Sequence, residues 1–272
     1  MTALRWRWLD SGSAPGAEQM AVDAGLMTRA RHTGEATFRV YGWARPTLSF
    51  GRHESVRARF SADHLALHGV DAVRRPTGGR VLLHEGDVTY SVTAPAFEGE
   101  SVTVAFGRIN RLLMTALERL GVGVGLRVGT GVPLGASVGL SQAPRGRALR
   151  PGRDACFAEP SAGELVVDGR KLVASAQRRE AGALLQHGSI LLIDRQHRIP
   201  ALAIAPMAAP APAATLELAL GRTVTRSEVC EVLRSAVEAE AGAVVELDHA
   251  ESLEYAKPHL GQFRDPDWTW RR

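Results

Sequence analysis

RRPTGGRVLLHEGDVTYSV, residues 74–92, is the stretch that decides the fold of this chain. Two adjacent glycines, Gly78 and Gly79, form a turn. Because neither has a Cβ, backbone N–H groups there can approach a ligand closely. An apolar run then reaches His84, and after a short acidic turn residues 88–92 alternate in the manner of a β-strand. The pattern predicts a glycine-rich turn that connects two strands.

Three arginines surround this turn, at Arg74, Arg75 and Arg80. A guanidinium is a planar, fork-shaped donor that suits carboxylate, phosphate or carbonyl oxygens. The residues alone leave two interpretations open. The segment is either a binding loop between two strands or a tight hairpin whose arginines are solvated.

The same segment resembles the RRxTGG motif of the lipoate–protein ligase and octanoyltransferase family. In that family the loop and the strand after it enclose the acyl group and the carbonyl end of lipoate or octanoate. Many of the ligases carry a third glycine after TGG, and an arginine in that place looks more like the octanoyltransferases built on the ligase fold. The resemblance implies substrate contacts at Arg74, Arg75, Thr77, Gly78, Gly79, Arg80 and His84.

A second resemblance runs from Cys156 to Gly188. This stretch resembles the ligase-like octanoyltransferases in the order of its short motifs. They are Cys-Phe, then EL and GRK around a turn, then SAQRR and finally LLQHGS. In those enzymes the cysteine is the acyl-accepting nucleophile and the lysine lies at the acyl carbonyl, which implies the same roles for Cys156 and Lys171. The resemblance also implies substrate contacts at Ser175, Ala176, His187 and Gly188.

These residues also have purely structural interpretations. A lone cysteine is more often a buried apolar side chain than a nucleophile, although the polar neighbours of Cys156 favour an accessible loop. By pattern alone Lys171 is a solvated lysine of a turn and His187 a hydrogen-bonding residue of a strand, while His84 fits either role. Cys230 falls on the apolar face of a predicted helix, which indicates a position in the core.

Three positions depart from the pattern of the family. Glu54 stands where the family usually has glutamine, and Gly163 stands where an aromatic residue is common. Ala174 stands where glycine is usual. Its methyl group lies where the backbone is expected to approach the ligand, so this departure bears on the fit of the acyl chain.

The implied roles agree with thioester chemistry. A thiolate attacks a thioester well, and the exchange of one thioester for another is nearly balanced in energy, so it needs no ATP. A nearby ammonium, or the arginine-rich surroundings, would favour the thiolate of Cys156. Lys171 is a candidate donor to the oxyanion of the tetrahedral intermediate. An incoming amine must lose a proton, and either a neutral Lys171 or His84 is a candidate acceptor.

Composition narrows the class of protein. The chain has 272 residues and a formal net charge of +4, and it lacks both the apolar core of a signal peptide and any run of about 18 apolar residues. We therefore expect a cytoplasmic enzyme that contacts neither membrane nor nucleic acid. Lysine occurs only at Lys171 and Lys257 in an arginine-rich chain, which singles out Lys171. Two cysteines without CxxC spacing predict neither a disulfide framework nor a metal site.

The resemblance covers nearly the whole chain and implies the biotin/lipoate-ligase-like α/β (α+β) fold, a mixed, mostly antiparallel sheet flanked by helices. We expect one catalytic domain, 1–272, without a separate accessory C-terminal domain. Residues 129–154 are rich in Gly, Pro and Arg and predict a long loop, either a lid or a solvated insertion. Its arginines would steer acidic partners, and they are Arg145, Arg147, Arg150 and Arg153.

Periodicity adds predictions for individual elements. The predicted strands span residues 4–10, 37–41, 47–50, 70–74 and 183–193, and a turn is expected at 10–13. One predicted helix begins near Ser13 and ends near Gly34. The other predicted helices span 56–68, 102–120 and 227–241, the last with Ser227 as its cap. Asp168-Gly169 between two apolar runs predicts a hairpin. The aromatic residues near the C-terminus are expected to pack back on the core.

The resemblance implies an octanoyltransferase. Octanoate would pass from the phosphopantetheine thioester of an acyl carrier protein to Cys156, and then to a lysine of a lipoyl domain of glycine cleavage H protein or a dehydrogenase E2 subunit. No cofactor would be required. The first alternative is an ATP-dependent lipoate–protein ligase that uses ATP and Mg²⁺, in which Arg74, Gly78, Gly79 and Lys171 hold an acyl-adenylate. The others are an amidotransferase between lipoyl domains and a non-catalytic lipoyl-domain or acyl-binding module.

Overall fold

The computed structural model describes residues 4–96, 100–126, 155–157 and 163–271. The strands are β1 (Trp6–Ala14), β2 (Ala36–Trp43), β3 (Thr47–Phe50), β4 (Asp71–Arg74), β5 (Leu82–His84), β6 (Asp87–Pro95), β7 (Gly125–Leu126), β8 (Leu165–Val167), β9 (Arg170–Glu180), β10 (Ala183–Leu191) and β11 (Val244–Glu246). The helices are α1 (Gly16–Thr33), α2 (Ala62–Leu67), α3 (Val102–Arg119), α4 (Leu216–Leu220), α5 (Arg226–Ala241), α6 (His249–Arg264) and α7 (Pro266–Thr269), with a 3₁₀ helix at Gln196–Leu202.

Two sheets organise these elements. The larger has eight strands in the order β11-β1-β2-β6-β10-β9-β8-β7, and the smaller has three in the order β4-β3-β5. In the larger sheet β1 pairs in parallel with β2 and β11, and its other pairs are antiparallel. Helices flank the sheet, so the predicted fold class, a mixed and mostly antiparallel sheet flanked by helices, is confirmed.

Helix α3 covers one face of the large sheet. Its apolar residues recur every three or four positions, so Ile109, Leu113 and Leu117 all reach the main core. The Ser101 side chain accepts a hydrogen bond from a backbone N–H of the first turn, which begins the helix there. Helix α5 packs beside α3. Its cap is Thr225 rather than the predicted Ser227, because a hydroxyl two residues earlier completes a capping box.

Helix α1 lies on the opposite face, and α6 covers it. A Cβ at Gly25 of α1 would lie 2.5 Å from the backbone of Tyr255, so only glycine permits this close packing of the two helices. Helix α6 is not predicted by the sequence pattern, because Pro258 and Gly261 interrupt the apolar period of a helix. Trp268 and Trp270 near the end of the chain pack against buried clusters, as predicted.

Two predicted boundaries are wrong. Strand β1 continues through the turn expected at residues 10–13, because a register shift between Asp10 and Ser13 lets the chain stay paired with β2. The helix expected over 56–68 is confined to Ala62–Leu67, because the Ser61 side chain accepts from the N–H of His64 and caps the helix at that point.

The hairpin of β8 and β9 turns at Asp168 and Gly169, as predicted. Both have positive φ, 49° and 72°, which is the conformation that a two-residue hairpin turn requires. Strand β10 then pairs with both β9 and β6. This arrangement brings the segments around Lys171 and His187 next to each other.

No helix among the described residues is long and apolar enough to cross a membrane. The predicted arginine-rich loop, 129–154, lies outside the described residues. Within the described ranges, no group of three or more His, Cys, Asp or Glu side chains converges in a way that would hold a metal ion.

Candidate active site

A pocket of about 330 Å³, including its opening to solvent, lies where β9 and β10 face the RRPTGGR loop and β5. Apolar side chains such as Met20, Trp43 and Leu82 form part of its wall. The wall also brings together predicted site residues from segments far apart in the chain: Arg75, His84, Cys156, Ser175, Ala176, His187 and Gly188. Their convergence in one pocket makes it the candidate active site.

Cys156 lies on the pocket wall on a short segment beside β5. Its backbone N–H donates to the carbonyl of Val81 at 2.9 Å, and Ala155 forms a parallel bridge with the same residue. The thiol is free and partly exposed, and it packs in a small apolar cluster with Leu82 and Ala174. The predicted nucleophile is therefore reachable from the pocket rather than sealed in the core.

Lys171 lies next to Cys156 but outside the pocket wall. Its Nζ donates to the carbonyl oxygen of Cys156 at 2.6 Å and forms an ion pair with Oε2 of Glu164 at 2.8 Å. The side chains of Lys171 and Glu164 are 3% and 9% exposed. A lysine paired with a carboxylate is an ammonium that donates hydrogen bonds and has no lone pair for a proton. Of the two roles considered, the contacts favour the donor over the base.

His84 belongs to a chain of hydrogen bonds behind the pocket wall. The Arg75 guanidinium donates to the Ser49 hydroxyl, so that hydroxyl donates in turn to Nε2 of His84, at 2.7 Å. Nδ1 of His84 then donates to Asp87 at 2.9 Å. Burial lowers the pKa of His84, which agrees with a neutral ring. The ring stacks on Trp43 at 3.9 Å, so His84 shapes the pocket while both its nitrogens are occupied.

His187 ties the TGG turn to the large sheet. Its Nδ1 donates to Asp23 at 2.8 Å, and its Nε2 accepts from the Thr77 hydroxyl at 2.6 Å. Asp23 is fully buried and also accepts from Arg39 at 2.7 Å. Burial alone would raise the pKa of Asp23, but the hydrogen bond from His187 and the charge of Arg39 lower it overall. Thr77 therefore does not line the pocket, and its hydrogen bond to His187 connects it to the site.

Arg74 and Arg75, the two arginines that begin the RRPTGGR loop, lie in different surroundings. Arg75 lies on the pocket wall. Arg74 is completely buried away from it and donates to the carbonyls of Gly51 at 2.6 Å, Glu54 at 2.9 Å and Thr269 at 3.0 Å. Arg74 thus ties the C-terminal segment to the loop that follows β3.

The rest of the predicted loop is held by the Arg75 side chain and by close contacts of the backbone. Arg75 donates to the carbonyl of Arg80 at 2.8 Å and to that of Gly78 at 3.3 Å, while the Arg80 side chain is exposed. Gly79 has a φ of +99°, which favours glycine. A Cβ at Gly51 would meet the Gly79 carbonyl at 1.9 Å, so the loop requires a close backbone contact there.

The departures from the family pattern have local explanations at two positions. Glu54 accepts from the N–H groups of Gly51 at 3.1 Å and Val81 at 3.0 Å, so its carboxylate braces both sides of the loop. Ala174 lies on the pocket wall beside Cys156, where its methyl group narrows the space next to the thiol. At Gly163 the structure shows a φ of +84° but gives no reason for the loss of an aromatic side chain.

Sequence reasoning missed Glu164 as a member of the site. The one available signal was an acidic residue seven positions before the single lysine of the region. Spacing across a hairpin does not reveal which side chains meet. The contact with Lys171 appears only once β8 and β9 pair.

Comparisons with known proteins agree with this geometry. Octanoyltransferase LipM of Kyrpidia tusciae is 40% identical over 193 residues, which cover 69% of this chain and 66% of that protein. Octanoyltransferase LipM of Geobacillus kaustophilus is 40% identical over 194 residues, which cover 69% of this chain and 65% of that protein. The match thus spans slightly less than two thirds of the length of these relatives.

Solved structures share the fold. A lipoate-protein ligase A bound with ATP has a TM-score of 0.72 at 16% identity, with 99% of both chains covered. The bipartite lipoate protein ligase of Thermoplasma acidophilum, solved with its E2 lipoyl domain, has a TM-score of 0.71 at 16% identity, with 98% of this chain and 96% of that one covered. Residues 15–238 match the family described as lipoyl protein ligase A/B catalytic domain. This chain therefore belongs to the lipoyl protein ligase A/B catalytic domain family.

Proposed function

We propose that this protein is an octanoyltransferase that moves octanoate from octanoyl-acyl carrier protein, through a thioester on Cys156, to a lysine of a lipoyl domain. The observation that carries the proposal is the placement of Cys156, a free and partly exposed cysteine, on the wall of the pocket, with the buried Lys171 ammonium bound to its backbone carbonyl. The relatives named Octanoyltransferase LipM support the same reaction.

In the first half-reaction the Cys156 thiolate attacks the carbonyl carbon of the carrier thioester. The bond to the pantetheine sulfur breaks, a new thioester to Cys156 forms, and the pantetheine leaves as a thiolate that takes up a proton. Two N–H groups of Lys171 are used by Cys156 and Glu164, and within the described residues the third has no acceptor. This third donor is suited to the oxyanion of the tetrahedral intermediate.

In the second half-reaction the neutral amine of the lipoyl-domain lysine attacks the Cys156 thioester. The amide bond forms as the bond to sulfur breaks, and the surplus proton of the amine passes to the leaving thiolate. Both ring nitrogens of His84 are hydrogen-bonded and Lys171 is an ammonium, so neither provides an open site for this proton. The thiolate is therefore both leaving group and proton acceptor.

The thioester carries the activation of the acyl group, so we expect transfer to proceed without ATP or Mg²⁺. The donor is the octanoyl-phosphopantetheine group of an acyl carrier protein. The acceptor is a lipoyl domain, such as glycine cleavage H protein or a dehydrogenase E2 subunit. The apolar part of the pocket wall, including Met20, Trp43 and Leu82, is suited to the alkyl chain of octanoate.

Intact mass spectrometry tests this proposal. The protein is mixed with octanoyl-acyl carrier protein in the absence of ATP, as wild type, as Cys156→Ser and as the matched control Cys230→Ser. We expect a hydroxylamine-labile octanoyl adduct on wild type and on the control but none on Cys156→Ser, and a lipoyl domain added next should remove it.

Absence of an adduct on all three proteins would contradict the proposal. In that case lipoate-dependent exchange between ATP and pyrophosphate would assign the chain to the ligases. Loading from an octanoylated lipoyl domain, but not from the carrier, would assign it to the amidotransferases. Binding of octanoate that survives Cys156→Ser without transfer to any acceptor would indicate a binding module.

A further inference from the structure

A buried carboxylate beside the Cys156–Lys171 pair has no part in the reaction described above. Glu164 stands directly before β8, and its carboxylate lies 2.8 Å from the Lys171 ammonium. The preceding residue, Gly163, is itself held, because its carbonyl accepts from the Asn110 side chain at 2.6 Å. Asn110 of helix α3 therefore supports the position of Glu164 by holding the backbone of the residue before it.

The backbone of Cys156 is anchored on both sides. Its N–H donates to the carbonyl of Val81, the residue directly after the RRPTGGR loop, and its carbonyl oxygen accepts from Lys171 on β9. The location of the thiol thus depends on where the Lys171 ammonium lies. Since Glu164 is the charged partner of that ammonium, the anchoring runs from Glu164 through Lys171 to Cys156.

Besides Cys156, the charged or titratable side chains on the pocket wall are Tyr41, Arg75, His84 and His187, and Tyr90 is hydrogen-bonded to Ser175 of the wall at 2.7 Å. Burial raises the pKa of Tyr90 to about 12, with the charge of Glu164 adding to the rise, so the phenol stays neutral over the working range. Burial lowers the pKa of His84, and His187 is held in hydrogen bonds to Asp23 and Thr77. Arg75 remains a cation throughout. Glu164 is therefore the negative charge that balances Lys171 beside the thiol.

We propose that Glu164 is a positioning residue that acts through Lys171: its charge and reach hold the ammonium against the Cys156 carbonyl and set the pH range in which the thiol reacts. This inference rests on the proposed octanoyltransferase function and adds a second role, the tuning of Cys156, to the same site. Glu164 is not among the residues that line the pocket. Its effect is exerted on the geometry and the ionisation of the nucleophile.

The test separates the charge of Glu164 from its reach. Alkylation of Cys156 by iodoacetamide is followed by mass spectrometry over a range of pH, with Cys230 as a reference in the same chain. Burial raises the pKa of the Cys230 thiol to about 11, so the two sites are distinguishable. In Glu164→Gln a negative charge near the thiol is lost, which favours the thiolate, and we expect the pH of half-maximal Cys156 alkylation to fall by roughly one unit.

A second variant changes the reach alone. Glu164→Asp keeps the charge but withdraws the carboxylate by one methylene. We expect the pH of half-maximal alkylation to stay in place, while acylation of Cys156 by octanoyl-acyl carrier protein slows several-fold. The control is Glu100→Gln, which removes another largely buried carboxylate that pairs with Arg108 and Arg179 instead. We expect it to change neither readout.

A merely structural Glu164 would reduce the amount of folded protein without moving the pH of alkylation. An unchanged or increased half-maximal pH in Glu164→Gln would therefore overturn the inference, as would an effect of equal size in the Glu100→Gln control. Alkylation needs no acyl donor, so the two proposals can fail separately. A wild type that never forms an octanoyl adduct refutes the function, whereas an unmoved alkylation profile refutes the role of Glu164.

Discussion

Two buried ion pairs are each hydrogen-bonded to a residue of the pocket wall, and they differ in the bonds that their charged groups make. Asp23 and Arg39 are entirely shielded from solvent, and Asp23 accepts further hydrogen bonds from Tyr41, Ser91 and His187. Lys171 and Glu164 are nearly as buried, but within the described residues one N–H of Lys171 has no acceptor.

This difference separates structure from chemistry. The Asp23 carboxylate accepts from Arg39, Tyr41, Ser91 and His187, so it holds its neighbours in place and keeps no free position for a substrate. A charge with one unused donor next to a thiol can stabilise negative charge that develops during a reaction. We therefore regard the Asp23 cluster as the support of the pocket and the Lys171–Glu164 pair as part of its reactive end.

Asp23→Asn is expected to have the largest effect. It leaves the Arg39 guanidinium buried without its ion-pair partner, and such a loss costs about 3–5 kcal/mol of the free energy of unfolding. Urea unfolding at neutral pH measures it, with the exposed Asp63→Asn as control. The contribution of the Asp23 carboxylate to the stability of the wild type also depends on pH. The pKa of Asp23 is lowered in the folded state, so its stabilisation is present above its unfolded value near 3.9 and is lost as the pH falls through the folded value.

A stability of Asp23→Asn within experimental error of the Asp63→Asn control would contradict the assignment of the Asp23 cluster as support. The acid dependence offers a second check. If the difference in stability between wild type and Asp23→Asn did not shrink below about pH 4, the carboxylate would not be the group responsible.

Lys171→Met breaks the other pair and is expected to act on the rate. Loss of one donor to an oxyanion lowers a rate by about 10²–10³-fold, and single-turnover acylation of Cys156 measures it. Lys257→Met, at the other lysine of the chain, is the matched exposed control. Lys171→Met also takes the ammonium away from the buried Glu164 carboxylate, so adding Glu164→Gln should recover stability without recovering the rate. Recovery of both would assign the pair to the fold alone.

Thr77→Val is expected to have the smallest effect. It leaves Nε2 of His187 without its donor and loosens the TGG turn from the sheet, at an expected loss of about 1 kcal/mol. Thr77→Ser keeps the hydroxyl and is the control. Urea unfolding and the KM for octanoyl-acyl carrier protein together measure the effect. An equal rise in KM in both variants would contradict the role of the hydroxyl, because Thr77→Ser keeps it.

Much of the local structure around this site was predictable, because short motifs specify it. A Thr-Gly-Gly turn, an Asp-Gly hairpin and a 3.6-residue apolar period each specify structure through interactions near in sequence, and β8, β9 and α3 appear where expected. The convergence of Cys156 with the SAQ and HGS segments on one pocket agrees with the resemblance that proposed it.

Other features depend on contacts between distant segments. Arg74 and Arg75 are neighbours of identical chemistry, yet one binds carbonyls of the C-terminal segment and the other lies on the pocket wall. Successive side chains of an extended segment point to opposite sides, and what lies on each side is decided by elements far away in the chain. The same reason kept the roles of Glu54 and Glu164 hidden.

The sequence by itself therefore determined the fold class, the loop that borders the pocket and the identity of the candidate nucleophile and its lysine. The loop follows from a short motif whose backbone geometry is set by its own residues, whereas the fold class, the nucleophile and its lysine follow from the resemblance to a family. Only the tertiary structure decided that Lys171 is the ammonium partner of Glu164, that His84 has both nitrogens occupied, and that Asp23 supports the TGG turn. Protonation and hydrogen-bond direction depend on which buried groups meet, and packing between distant segments alone settles that.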